Sequence, residues 1–208
     1  MITASAASAT NDDPLVDRVA AAAHAGVHLI QIRQPDRDAR GLIRLVQRAM
    51  AAVRGTEARV LVNDRADVAI AGGAHGVHLR GDSMPAARVR TIVPSGFLIG
   101  RSVHSADETM RVTSDGSVDY VIFGTVFPTT SKPGATVSGP GVLAASAQAT
   151  TVPVLAIGGM DPVRAREVAQ AGAAGIAAIG LFAEPQVEAL RATVERVVSA
   201  FDTSGILP

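Results

Sequence analysis

Seven short apolar runs recur along the chain, at residues 27–32, 59–62, 76–79, 97–100, 119–123, 152–157 and 175–179, and they limit the fold more than any other feature. Each is almost continuously apolar rather than alternating, the pattern of a parallel strand covered on both faces. Helical stretches lie between them. Leu42, Leu45, Val46, Ala49 and Val53 keep the i, i+3, i+4, i+7 spacing in one, and Val187, Leu190, Val194, Val197 and Val198 mark another. Glycines stand shortly before three of the runs, in Ala25-Gly26, Ala71-Gly72-Gly73 and Ala171-Gly172, where a left-handed residue stops a helix. Met1-Ile2-Thr3 reads as a clipped eighth strand, first in order. The expectation is a single domain over residues 1–208, a compact (β/α)8 TIM barrel whose first strand is short or degenerate. Its 208 residues are fewer than the ~250 typical of that fold. An open doubly wound sheet is the alternative, but no GxGxxG follows the first strand.

Composition closes off several function classes. The 19 basic residues balance 19 acidic ones, which gives no electrostatic footprint for nucleic acid. With no Trp and one Tyr, stacking platforms for single strands are scarce. No apolar run approaches the ~18 residues of a membrane span. Met1 to Pro14 carries no Lys or Arg and does not read as a signal peptide. The chain has no cysteine, which removes disulfides, thiolate nucleophiles and thiolate metal sites and suits the cytoplasm.

In a barrel of this kind, chemistry belongs at the carboxyl ends of the strands. Polar residues collect there: Gln31-Ile32-Arg33, Asn63-Asp64-Arg65, His78-Leu79-Arg80-Gly81-Asp82-Ser83, Arg101-Ser102-Val103-His104, the stretch from Gly124 to Gly134, Gly158-Gly159-Met160-Asp161 and Ile179-Gly180. Gly158-Gly159 lets backbone N–H groups approach an oxyanion. A helix starting at Asp161-Pro162 would aim its positive end the same way, and Gly180 could add another N–H. Of the 19 basic residues one is lysine, Lys132, set beside the hydroxyls of Thr129, Thr130 and Ser131. A lysine ammonium is a compact charge suited to phosphate, although a solvated loop lysine is the plain alternative. Asp64 is either a Mg2+ carboxylate bridging to a substrate phosphate or a helix cap. His78 and His104 are either acid–base groups or, respectively, a satisfied core histidine and a helix cap.

In order along the chain, several motifs together resemble the thiamine-phosphate synthase/TenI family. They are Gln31-Ile32-Arg33, Val62-Asn63-Asp64-Arg65-Ala66-Asp67, Ala74-His75-Gly76-Val77-His78-Leu79, Ile99-Gly100-Arg101-Ser102-Val103-His104-Ser105, the run from Phe123 to Lys132 and Ala156-Ile157-Gly158-Gly159. The likeness runs from about Asp17 to Phe182. It implies a (β/α)8 barrel that joins hydroxymethylpyrimidine diphosphate to thiazole phosphate and releases diphosphate with Mg2+. By the same resemblance Gln31, Arg33, Asn63, Ser102 and Lys132 form the pyrimidine-diphosphate set, with Lys132, Ser102 and Arg33 as its catalytic members. Thr129, Thr130, Ser131, Gly158, Gly159, Ile179 and Gly180 form the thiazole-phosphate set, and Asp64 is a metal ligand. The chain departs from the family at three places: Pro35 replaces a lysine, Ser83 replaces a second metal carboxylate with Asp82 beside it, and Gly180 replaces a serine. Two lost charge-assisted contacts would cost roughly 3–6 kcal/mol if nothing compensates. The phrase from Gly100 to Ser105 and Ser83 look more like the TenI branch of thiazole tautomerases, but Thr125 stands where that branch places its acid–base residue. Synthase, tautomerase and non-catalytic precursor-binding module stay open, as does a homo-oligomer.

Overall fold

The computed structural model describes residues 1–4, 11–183 and 186–202. Seven strands follow the seven apolar runs: β1 (Leu29–Ile32), β2 (Arg59–Asn63), β3 (Gly76–Leu79), β4 (Leu98–Val103), β5 (Tyr120–Phe123), β6 (Val154–Ile157) and β7 (Gly175–Ala177). They pair in chain order and all in parallel, the result of successive β-α-β crossovers. Around them lie α1 (Asp13–His24), α2 (Ala39–Ala52), α3 (Ala66–Gly72), α4 (Ala86–Arg90), α5 (Ala106–Thr113), α6 (Gly139–Gln148), α7 (Pro162–Gln170), α8 (Gly180–Ala183) and α9 (Leu190–Asp202). None of the helices described is long and apolar enough to cross a membrane.

The helices form where the sequence pattern asks for them. In α2 the stripe Leu42, Leu45, Val46 and Ala49 is buried, and Asp38 caps the start by accepting from Gly41 N. After α3, Gly73 takes φ +70°, a left-handed conformation that costs other residues more. In α9 the buried stripe is Leu190, Thr193, Val194 and Ala200, while Val198 faces outward. The spacing assigned to that helix therefore holds only in part.

The expected eight-stranded barrel is corrected. Among the described residues the sheet is a curled, TIM-barrel-like half-barrel of seven strands, not a closed ring of eight. Met1-Ile2-Thr3 contributes a single bridge, Ile2 to Gln31. Thr3 N donates to Gln31 O and Gln31 N to Met1 O, each at 2.9 Å, and Ile2 N donates to Ala178 O at 2.9 Å. Three residues reach both edges of the sheet but are too few to run a ladder along either. The sequence from Ser5 to Asn11 reads as a loop, and apart from Asn11 it lies outside the described residues.

Side-chain alternation divides the core in two. Ile30, Ile32, Val60, Val62, Val77, Ile99, Val121 and Phe123 point to the helices and join Leu42, Leu45, Val46 and Leu143 in the main cluster. Inside the curl a smaller cluster holds Ile2, Leu61, Tyr120, Ile122 and Ala177, with Leu29, Leu98, Leu155, Ile157 and Ile179 against it. Gln31, Asn63, His78 and Ser102 share the inward parity and lie toward the carboxyl ends of their strands. The fold thus sets a polar layer on top of an apolar plug.

Candidate functional site

The inward polar layer is hydrogen-bonded across strands. Gln31 Nε2 on β1 donates to Asn63 Oδ1 on β2 at 3.0 Å. Gln31 is buried, yet its Oε1 has no partner, the only such buried side-chain atom among the described residues. On β3, His78 places Nε2 2.9 Å from Ser102 Oγ of β4 and Nδ1 3.1 Å from the Tyr120 hydroxyl of β5. Burial, with Arg101 nearby, pushes the His78 pKa down to about 3, so the ring is neutral at pH 7. Burial likewise raises the Tyr120 phenol. Gly100 makes this stack possible, because a Cβ there would lie 2.0 Å from Tyr120 Cζ. His78 is thus a satisfied core histidine that fixes the Ser102 hydroxyl.

His104 is not the cap expected of it. Ser105 caps α5 by accepting from Glu108 N, and Glu108 Oε2 reaches back to accept from His104 N at 2.8 Å, one residue before the cap of a standard capping box. The His104 ring donates from Nδ1 to Gly124 O and so ties the ends of β4 and β5 together.

At the end of β2, Asp64 adopts φ +62° while its N–H donates to His78 O at 2.8 Å. Its Oδ1 accepts from the Ser83 hydroxyl. Arg80 forks onto Asp82 through Nε and Nη2 at 2.9 and 2.7 Å, and the same Nε is 3.7 Å from Asp64 Oδ2. The fork lowers the Asp82 carboxyl pKa. Below this loop Arg101 is buried, and its guanidinium donates to the carbonyls of Gly81, Ser83 and Met84. Asp64 is therefore no helix cap: α3 starts at Ala66 with Arg65 in the cap position.

The loop after β5 packs onto the turn after β6. Val126 N donates to Ile157 O at 2.8 Å and Phe127 N to Gly158 O at 3.3 Å. Gly158 and Gly159 have φ +107° and +62°, and a Cβ on Gly159 would lie 2.4 Å from Pro128 O. The glycine pair and the segment carrying Thr129, Thr130, Ser131 and Lys132 thus share one rim. Thr129 Oγ1 and Ser131 Oγ are 2.9 Å apart, and Lys132 is exposed. Asp161 and Pro162 start α7 as expected, but Asp161 Oδ1 already accepts from Val163 N and Arg164 N, both at 2.9 Å. The anion-binding capacity assigned to that helix end is taken by its own cap. Gly180 opens α8 directly after Ile179. Arg33 is exposed beside the basin, with its N–H on Thr3 Oγ1. Pro35 is exposed, and the nearby Arg37 guanidinium is committed to Asp12 at 2.6 and 2.7 Å, so it supplies no replacement cation.

Two shallow hollows of about 320 and 340 Å³ open at the other rim, one lined by Arg59, His75 and Phe97, the other by His24, His28 and Glu57. Neither gathers the density of polar groups found at the carboxyl ends. The strand-end basin is open rather than enclosed, and convergence of side chains, not cavity size, marks it as the site.

Sequence reasoning placed Arg101 on the rim without finding its bracing role. It also did not find the His78–Tyr120 bond. The signal for that bond was Gly100, a residue with no side chain opposite a tyrosine.

The family model described as Thiamine monophosphate synthase (TMP-TENI) matches residues 1–182. A thiamine-phosphate synthase of Chlorobium luteolum is 38% identical over 183 residues, which span 86% of either chain. One from a Roseiflexus species is 36% identical over 197 residues, 92% of this chain and 82% of its own. A thiamine phosphate pyrophosphorylase from Pyrococcus furiosus has a similar structure, with TM-score 0.80, 32% identity and coverage of 91% and 90% of the two chains. A 3-hexulose-6-phosphate synthase with TM-score 0.70 and 20% identity shares the fold alone.

Proposed function

The chain belongs to the thiamine monophosphate synthase family, and we propose that its strand-end basin couples hydroxymethylpyrimidine diphosphate to thiazole phosphate. The products are thiamine phosphate and diphosphate, and the enzyme is a transferase. The observation that carries the assignment of the pyrimidine site is Gln31 Oε1, a buried acceptor without a donor. The amino group of an aminopyrimidine supplies the missing N–H, and a buried polar group left unpaired costs about 1–3 kcal/mol. Asn63 accepts from the Gln31 Nε2 and so fixes the orientation of the amide.

In the reaction the C–O bond to diphosphate breaks with its electron pair leaving on oxygen. The ring nitrogen of the thiazole then forms the new C–N bond. Lys132 and Arg33 hold the departing charge, and Ser102, fixed by neutral His78, positions the diphosphate end. Gly158, Gly159 and Gly180 offer backbone N–H groups to the thiazole phosphate, and Thr129, Thr130 and Ser131 offer hydroxyls. Ile179 closes the apolar side.

Mg2+ fits the residues present. Arg80 Nε lies 2.9 Å from Asp82 Oδ1 and 3.7 Å from Asp64 Oδ2, so both carboxylates already face one cation. One or two carboxylates with substrate phosphates are the usual protein share of such a site. When bound, Mg2+ would neutralise charge on the leaving diphosphate. Phosphorylated substrates of this kind cross membranes poorly, which supports a reaction in the cytoplasm, where such precursors are retained.

The test is an assay with both phosphorylated precursors and Mg2+. The expected result is thiamine phosphate and diphosphate in equal amounts. Metal-independent exchange of solvent deuterium into a carboxythiazole phosphate, with no coupling, would instead assign the tautomerase reaction.

A further inference from the structure

We propose that Arg80 is an internal counter-ion that holds the metal-binding carboxylates in the free chain and releases them when a diphosphate arrives. The inference rests on the reading of Asp64 and Asp82 as the divalent-cation position.

Arg80 follows β3 directly, and its side chain is 57% exposed, free to leave for an anion in the basin. Its guanidinium nonetheless makes a two-point contact with Asp82 and faces Asp64 with the same Nε. The two carboxylates come from loops after adjacent strands, so they do not meet through local sequence. A further contact of Asp64 runs through the Ser83 hydroxyl. Arg80 N donates to Ser83 Oγ at 2.8 Å, and that hydroxyl donates onward to Asp64 Oδ1. One Asp64 oxygen is thus occupied by Ser83 and the other faces Arg80.

The buried Arg101 fixes the loop that carries this unit. Its bonds to Gly81, Ser83 and Met84 hold the main chain, so the movable part is the Arg80 side chain. A divalent ion arriving alone must displace the guanidinium and then stand beside it. A diphosphate changes the balance, because its oxygens match the planar fork of arginine as well as a carboxylate does. With Arg80 turned to phosphate, both carboxylates are open to the metal. Metal and diphosphate therefore bind together.

The test is Mn2+ binding to the full chain, read by water-proton relaxation, first with Mn2+ alone and then with inorganic diphosphate. Arg80→Gln is expected to bind Mn2+ alone on the order of tenfold more tightly than the wild type, from loss of a like charge about 4 Å away. Arg80→Lys, which keeps charge but loses the fork, should fall between them. With saturating diphosphate the order should reverse, the wild type binding at least as tightly as Arg80→Gln. A Kd for Mn2+ alone within about twofold of the wild type in Arg80→Gln would overturn the proposal, a change too small for the repulsion it invokes. Asp64→Asn separates the two readings. If it loses the Mn2+ response while Arg80→Gln changes nothing, Arg80 alone is misassigned. If it keeps the response, the metal position itself is wrong and this inference falls with it.

Discussion

Acidification should destabilise this protein through one identifiable group, His78. The ring is fully enclosed between β3, β4 and β5, and its pKa lies near 3 against the ordinary 6.5. Between those values the unfolded chain binds a proton that the folded chain refuses, so stability falls as pH drops below 6.5. From pH 7 to pH 5 the loss from this group alone comes to about 2 kcal/mol, from a linkage of 1.36 kcal/mol per pH unit once the unfolded imidazole is charged. Urea unfolding at both pH values, on the wild type and on His78→Gln, isolates the effect. Each protein is compared with itself, so any cost of the substitution cancels and other titrating groups contribute equally. The wild type should lose about 2 kcal/mol more than the variant over that interval. Equal losses would refute the assignment of a neutral, buried imidazole to this position.

Gly100→Ala should destabilise the chain by about 1–3 kcal/mol or more, measured by urea unfolding, because its Cβ meets the Tyr120 ring; a change below about 0.5 kcal/mol would contradict the packing. Lys132→Met should lower kcat/KM for coupling by about 10²–10³, the scale of losing one electrostatic stabiliser, while the melting temperature of this exposed position stays unchanged. Gly159→Ala faces both a positive φ and the Pro128 carbonyl, so it should raise KM for thiazole phosphate more than that for the pyrimidine substrate, checked by varying each in turn.

The sequence showed most of the sheet because parallel strands buried on both faces leave near-continuous apolar runs. It overstated closure of the barrel: Ile2 has the apolar character of a strand, but a ladder needs length, and character does not reveal length. The rim residues were legible as types at strand ends. Their connections were not, because Asp64 meets Ser83, and His78 meets Ser102 and Tyr120, through the register of neighbouring strands. Arg101 misled most. On sequence it reads as one more rim cation, whereas alternation in β4 turns it away from the Ser102 face and into the loop below Asp82. The cap at Asp161 was legible because it is local, but its consequence, that the first amides of α7 are already taken, depends on seeing the carboxylate in place.

The proposed coupling reaction requires one basin at the carboxyl ends of the strands that receives both phosphorylated substrates. A crystal structure of the chain with thiazole phosphate bound tests this most directly. The phosphate should lie within hydrogen-bond reach of the Gly159 backbone, with the loop of Thr129 to Lys132 beside it. A phosphate seated on the opposite rim, in the hollow beside Arg59 and His75, would contradict the account.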